Sequence, residues 1–363
     1  MLPGPDASGA NSLKAHAANA HVLFGFAVDA KRLRTDEAYR TLIQQQCSIM
    51  VTENAMKWRA LRPAIDRYFF DDADMVVQFA SSHRIKLRGH NLCWHESMPD
   101  WFASQVTTEN ARQILRDHVR TVAGRYAGRM HSWDVVNEAI DVKDGRPDGM
   151  RMSPWLRLVG TDYVETAFRI ARDADPAALL TYNDYGIEAD TEDAERKRAA
   201  VLLLLRRMRQ RNVPIDAVGI QSHVEAGPGP SYGVGLQKFV QSCKEMALEV
   251  FVTELDVNDR RLGPAVDTRD LAVAERYRSY LDLLLRGKSV TAVLTWGVSD
   301  AQTWLNSGSF ARKDGVPQRP LLFDAQMRAK PAFAAVRAAF DARGKGTVAG
   351  LRGPAQVPPL RKL

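Results

Sequence analysis

Two stretches of the chain end in the same unusual way. Ser132-Trp133-Asp134-Val135-Val136 has strand character and then breaks into Asn137-Glu138. Val250-Phe251-Val252-Thr253 does the same and runs into Glu254-Leu255-Asp256. Asn and Glu are poor strand residues, and burying a carboxylate is unfavourable unless something uses it. Taken alone, Glu138 reads as a loop acid or a helix-start residue complementing a helix dipole. Two apolar strands that both end in a carboxylate point instead to two acids aimed at one place. General acid–base work on a single bond needs that arrangement.

Such acids need a frame. Apolar runs of strand length occur at 22–28, 48–53, 85–94, 132–139, 179–185, 217–223, 250–257 and 290–298. Between them lie segments with helical period or helical start and stop signals: about 36–46, 71–83, 107–123, 162–174, 190–211, a helix ending near 247, 268–286 and 331–343. Eight strands alternating with helices, with no break in composition, predict parallel βα units closing into one (β/α)8 barrel. A doubly wound open sheet is the runner-up. It usually carries a glycine-rich phosphate turn, and neither GxGxxG nor GxxxxGK[ST] follows any strand. The expected division is a lead-in over 1–20, a catalytic barrel over 21–343, and a basic Gly/Pro-rich disordered tail over 344–363.

In a barrel, chemistry sits at the carboxyl ends of the strands. Those ends hold Glu53, Asn54 and nearby Lys57; His90 and Trp94; Asn137 and Glu138; Asn183, Asp184 and Tyr185; Gln221 and His223; Glu254 and Asp256; and Trp296, with Trp304 in the next loop. A metal hydrolase would need several His or carboxylate ligands converging at bond distance. No HxH or HExxH pair is present, so no metal is expected. A carbohydrate hydrolase needs two carboxylates flanking a glycosidic bond, with amides, a Lys and indole faces for the sugar. That inventory fits better. A non-catalytic sugar binder would share the indoles without needing two strand-end glutamates.

Composition sets wider limits. The 363 residues are 45% hydrophobic and 26% charged, an ordinary globular balance. The net charge of +7, from 50 Lys+Arg against 43 Asp+Glu, is spread among acids, so no nucleic-acid partner is expected. No run has the length of a membrane span, so no membrane partner is expected either. Three cysteines, Cys47, Cys93 and Cys243, make no disulfide framework. The first 20 residues lack an apolar signal core, which suits either a cytoplasmic chain or one trimmed of its leader.

Six motifs stand at or near these strand ends: VTENAMKW (51–58), GHNLCWH (89–95), WDVVNEA (133–139), YNDYG (182–186), GIQSHV (219–224) and VTELD (252–256). Together they resemble glycoside hydrolase family 10, the endo-1,4-β-xylanases, over roughly residues 20–340. The resemblance implies the same (β/α)8 barrel, a retaining mechanism, no cofactor, and xylan or xylo-oligosaccharide as substrate; a monomer is expected. It assigns Glu138 as general acid/base and Glu254 as nucleophile. Their carboxyl groups should then lie about 5–5.5 Å apart, with the charge of Glu254 raising the pKa of Glu138. Asn137 matches the residue that holds the sugar 2-hydroxyl, and His223 with Asp256 a pair that orients the nucleophile. Gln221, Lys57, His90 and Trp94 match the sugar site beside the scissile bond, and Glu53 and Asn54 the next site. Trp296 and Trp304 match indole walls, and Tyr185 the leaving-group side. A secreted or periplasmic location is expected from a polymeric substrate.

Three departures from the family pattern stand out. Ser97 replaces a usual Gln two residues after His95, Leu305 replaces an Arg after Trp304, and Gly186 replaces an Asn. None touches the acid pair. The alternatives are a retaining β-glycosidase acting on short xylo-oligosaccharides or β-glucans, and a non-catalytic carbohydrate-binding protein.

Overall fold

Strands rich in Val, Ile, Leu and Phe bury both faces, so they require cover on each side. The computed structural model, which describes residues 7–349, meets that need with a closed parallel barrel ringed by helices. Its strands are β1 (Leu23–Val28), β2 (Ile49–Thr52), β3 (Lys86–His90), β4 (Ser132–Asn137), β5 (Leu179–Asp184), β6 (Ala217–Ile220), β7 (His223–Glu225), β8 (Glu249–Asn258) and β9 (Val290–Thr295). Neighbours pair in order from β1 to β6, then β6 with β8, β8 with β9, and β9 back to β1. The ring closes, which excludes the open sheet.

The expected sixth strand, 217–223, is two pieces. β6 stops at Ile220 and the short β7 resumes at His223, both paired to β8. The interruption falls on Gln221 and Ser222, where Ser222 takes a left-handed φ of 66° that no ladder accommodates.

Inside the ring, Ala27, Ile49, Val51, Ala217, Phe251, Ala292, Leu294 and Trp296 pack together. The larger apolar core lies outside the ring, between strands and helices. The barrel interior also carries charge. Wholly buried Arg88 on β3 pairs with wholly buried Asp134 on β4, and its guanidinium lies 5.5 Å from the Phe251 ring centre. The other Asp134 oxygen lies 2.9 Å from His90 Nδ1 at the end of β3.

Helix limits sharpen the expectations. The sequence places a helix start at 107–109, but the helix Ala111–Arg125 begins after Asn110, and Thr107 instead donates its N–H to Asn110 Oδ1. The span expected as a lead-in contains the helix Leu13–Asn19, with Leu13 and Ala17 wholly buried. Gln46 Oε1 accepts the Leu13 N–H at 2.9 Å, which fastens this helix to the barrel. The last helix, Pro331–Ala349, continues past the expected end at Arg343. Residues 350–363 of the expected tail lie outside the described residues. Cys47, Cys93 and Cys243 are buried and unpaired.

Candidate active site

β4 pairs with β5 in register from Ser132, but the register slips between Asp134 and Val136. One extra residue in a strand kinks it and re-aims the residues after it. Here those residues are Asn137, paired with Asn183 across the ladder, and Glu138 at φ 58°. A left-handed φ is unfavourable for Glu and must be held by its surroundings. The Glu138 N–H donates to Asn183 O at 2.9 Å, and its carbonyl accepts Arg151 Nε at 2.8 Å. β8 has a similar slip against β9 between Val252 and Leu255, next to Glu254. The Glu254 N–H donates to Gln221 O at 3.0 Å.

Both carboxylates are nearly buried, Glu138 at 7% and Glu254 at 5% exposure. Their environments push them apart. Burial raises the pKa of Glu138 most. The Gln221 and Trp94 hydrogen bonds oppose the rise, while Asp184 and Glu254 add to it. Burial also pushes Glu254 upward, but the His223 hydrogen bond, nearby His90 and the Asn183 hydrogen bond outweigh it. The Glu254 pKa is therefore lowered from its ordinary value. The neighbouring charge expected to set Glu138 is thus a smaller cause than desolvation.

Polar partners explain the difference. Glu138 Oε1 accepts Gln221 Nε2 at 2.8 Å and Asn137 Nδ2 at 3.0 Å, and its Oε2 accepts Trp94 Nε1 at 2.9 Å. Glu254 Oε1 accepts Asn183 Nδ2 at 2.8 Å, and its Oε2 lies 3.3 Å from His223 Nε2. His223 Nδ1 lies 2.9 Å from Asp256 Oδ1, and Asp256 with Glu254 raises the His223 pKa well above its ordinary value despite burial. The second Asp256 oxygen accepts Trp304 Nε1 at 2.7 Å. Trp304 therefore anchors the orienting acid as well as standing edge-on to His223, with ring centres 5.0 Å apart.

The remaining expected residues are held by contacts of their own. His90 Nδ1 lies 2.9 Å from Asp134 Oδ2, and its ring stands edge-on to Trp296 at 5.2 Å. Lys57 Nζ lies 5.2 Å from the Trp94 ring centre and 5.7 Å from that of Trp296, and it donates to Asn54 Oδ1 at 3.1 Å. Burial lowers the Lys57 pKa, opposed by Glu254, Glu53 and Glu138. Glu53 is raised, first by burial. Asn54 is exposed at the rim. Tyr185, 37% exposed, stands further out and is linked to the Glu138 carbonyl through Arg151, which donates to the Tyr185 hydroxyl at 3.1 Å. Ser97 is half-buried with φ 50°. Leu305 is 2% exposed, so its side chain packs inward instead of meeting the cleft.

Several contributors escape sequence reasoning. Asn183 stands in the YNDYG motif without an assigned role, although its register opposite Asn137 points to one. Arg151 follows no strand and leaves no signal. Lys197 sits on a distant helix, yet its Nζ pairs with Asp184 at 2.7 Å and lies 4.0 Å from the Tyr185 ring centre. Beyond Tyr185 a cavity of about 380 Å³ opens, lined in part by His223, Glu188, Lys197 and Tyr232. Among the described residues, no group of three or more His, Cys, Asp or Glu is placed to hold a metal ion. No helix among them is long and apolar enough to cross a membrane.

One carboxyl held high, one held low, and a bed of amides and indoles between them can protonate a leaving oxygen while attacking from the other side. Known proteins resemble this chain over most of its length. Residues 12–339 match the model of glycosyl hydrolase family 10. An endo-1,4-β-xylanase A from Thermoanaerobacterium saccharolyticum is 35% identical over 326 residues. The match covers 86% of this chain and 26% of that protein, so this chain spans about a quarter of that relative's length. An endo-1,4-β-xylanase B from Thermotoga neapolitana is 33% identical over 320 residues, 88% of each chain. The crystal structure of xylanase 10B from Thermotoga petrophila RKU-1 in complex with xylobiose superposes with a TM-score of 0.82 at 29% identity. That match covers 92% of this chain and 98% of the other.

Proposed function

This chain belongs to glycosyl hydrolase family 10, and from that premise we propose that it is a retaining endo-1,4-β-xylanase cleaving internal bonds of xylan. The observation that carries the proposal is the opposed environment of Glu138, just past the end of β4, and Glu254, on β8: Gln221, Asn137 and Trp94 bond the first, Asn183 and His223 the second. The xylanase names of its relatives and the xylobiose bound to a neighbour support the choice of sugar.

In this reading Glu254, held anionic by His223 and Asn183, attacks the anomeric carbon. Glu138, kept protonated by burial, gives its proton to the departing glycosidic oxygen. The glycosyl ester removes the charge on Glu254, so Glu138 loses one cause of its raised pKa. It then takes a proton from the water that attacks the ester, and the original anomeric configuration returns. Asn137 spends one N–H on Glu138, and an amide has two, so one remains for the sugar 2-hydroxyl. Lys57, His90, Trp94, Trp296 and Gln221 hold the sugar on the glycone side, with Glu53 and Asn54 one site further. Tyr185 lies on the leaving-group side.

The working unit is one barrel acting as a monomer, outside the cytoplasm where the polymer is found. Digestion of glucuronoxylan, xylo-oligosaccharides and carboxymethylcellulose, with anomers followed by NMR, tests the proposal. Rapid shortening of xylan with first-formed β-anomers supports it. Preference for short oligosaccharides or glucan favours a β-glycosidase, α-anomers first would exclude retention, and no hydrolysis at all leaves a sugar-binding protein.

A further inference from the structure

Glu188 has no part in the chemistry described above, yet it is 4% exposed and faces a strained turn of the site. Its Oε1 accepts the N–H of Ser222 at 2.9 Å. Ser222 is wholly buried at φ 66°, a conformation its side chain does not favour. The Ser222 hydroxyl bonds the Tyr280 hydroxyl at 2.9 Å, so both polar ends of this residue are tied down. The turn lies where β6 ends and β7 begins, and its two flanks point in different directions. On one side Gln221 donates to Glu138 at 2.8 Å and accepts the Glu254 N–H at 3.0 Å. On the other, His223 meets Glu254 at 3.3 Å and Asp256 at 2.9 Å.

We propose that Glu188 is a positioning residue for the reaction, fixing the Gln221–Ser222–His223 turn so that Gln221 faces Glu138 while His223 faces Glu254. The proposal rests on the reading of Glu138 and Glu254 as the catalytic pair. A left-handed Ser needs an outside constraint, and a carboxylate accepting its N–H supplies one. One hydrogen bond thereby serves both acids. The charged and titratable groups around Glu188 are His223, Lys197, Tyr280 and Tyr232. None of them replaces the Ser222 contact.

The test is the pH profile of kcat/KM on an aryl β-xylobioside for Glu188→Ala, Glu188→Gln and Glu188→Asp, with Tm recorded. Glu188→Ala should lose about tenfold or more, the size of a loosened contact to a charged group. Both limbs of its profile should move to higher pH, because Gln221 and His223 each lower the pKa of the acid they touch. Glu188→Gln keeps an acceptor oxygen and should retain the wild-type limbs. Glu188→Asp, one methylene short, should behave like Glu188→Ala and carries the test if the alanine variant does not fold. Limbs unmoved in Glu188→Ala or Glu188→Asp despite a lower Tm overturn the proposal, as does Glu188→Gln being as impaired as Glu188→Ala. Glu138→Ala and Glu254→Ala are assayed alongside. Full activity in either sinks the catalytic reading itself, whereas loss in both with unmoved Glu188 limbs sinks only the positioning role.

Discussion

The Asn183 side chain donates a 2.8 Å hydrogen bond to Glu254 Oε1. The same amide nitrogen donates to Asn137 Oδ1 at 2.8 Å, and Asn137 donates to Glu138 at 3.0 Å, so two amides link the opposed carboxylates. The Asn183 bond helps hold Glu254 low. Asn183→Ala should therefore raise the Glu254 pKa and shift the acidic limb of kcat/KM to higher pH. The loss at the optimum should be roughly ten- to a hundredfold, as for one hydrogen bond to a charged group. Stopped assays from about pH 3 to 9, spanning the carboxylate range and beyond, give both numbers.

If Glu138 is the general acid, as proposed, the basic limb belongs to it, because it must stay protonated until the leaving group departs. Activity falls as pH rises through its raised pKa. Trp94 lowers that pKa by its indole N–H, so Trp94→Phe should move the descending limb to higher pH and leave the ascending limb in place. An unmoved descending limb would show that the hydrogen bond does not act on the acid.

Gly219 on β6 leaves room for the Asn183 amide. A Cβ there would fall 2.1 Å from Asn183 Oδ1 and 2.9 Å from Thr253 Cγ2. Asn183 cannot retreat without giving up Thr253 Oγ1, which donates to it at 2.7 Å, or Glu254. Gly219→Ala should cost about 1–3 kcal/mol of stability by overpacking. It should also displace the acidic limb in the same sense as Asn183→Ala. Urea denaturation and the pH profile together check this.

Stability and catalysis separate at Arg269 and Asp259, both wholly buried and paired at 2.7 Å. Arg269→Met strands the Asp259 charge and should cost about 3–5 kcal/mol. The limbs of the pH profile should not move, since neither residue contacts the carboxylate pair. A shifted limb would link this distant pair to the site.

These relationships are unevenly visible in the sequence. Glu138 and Glu254 stand out because a carboxylate ending an apolar strand conflicts with strand propensity, and such conflict marks function. The barrel comes from eight alternating runs, since period and length survive in a linear reading. Asn183 and Arg151 do not stand out, because their roles depend on register and on a bulge that spacing cannot reveal. Trp304 reads as an apolar wall because its N–H has no direction until a loop aims it at Asp256. Ser222 hides inside an apparently continuous strand, for nothing in its type announces a left-handed φ. The helix at Leu13–Asn19 escapes notice because its small, polar surroundings resemble a mobile segment, and its anchor, Gln46, is remote in sequence.

The most direct test of the central claim is Glu254→Ala assayed on an activated aryl β-xylobioside with and without sodium azide. If Glu254 is the nucleophile, turnover on xylan is abolished and azide restores cleavage with release of the α-glycosyl azide. Full activity without azide, or rescue that yields the β-glycosyl azide, contradicts the account.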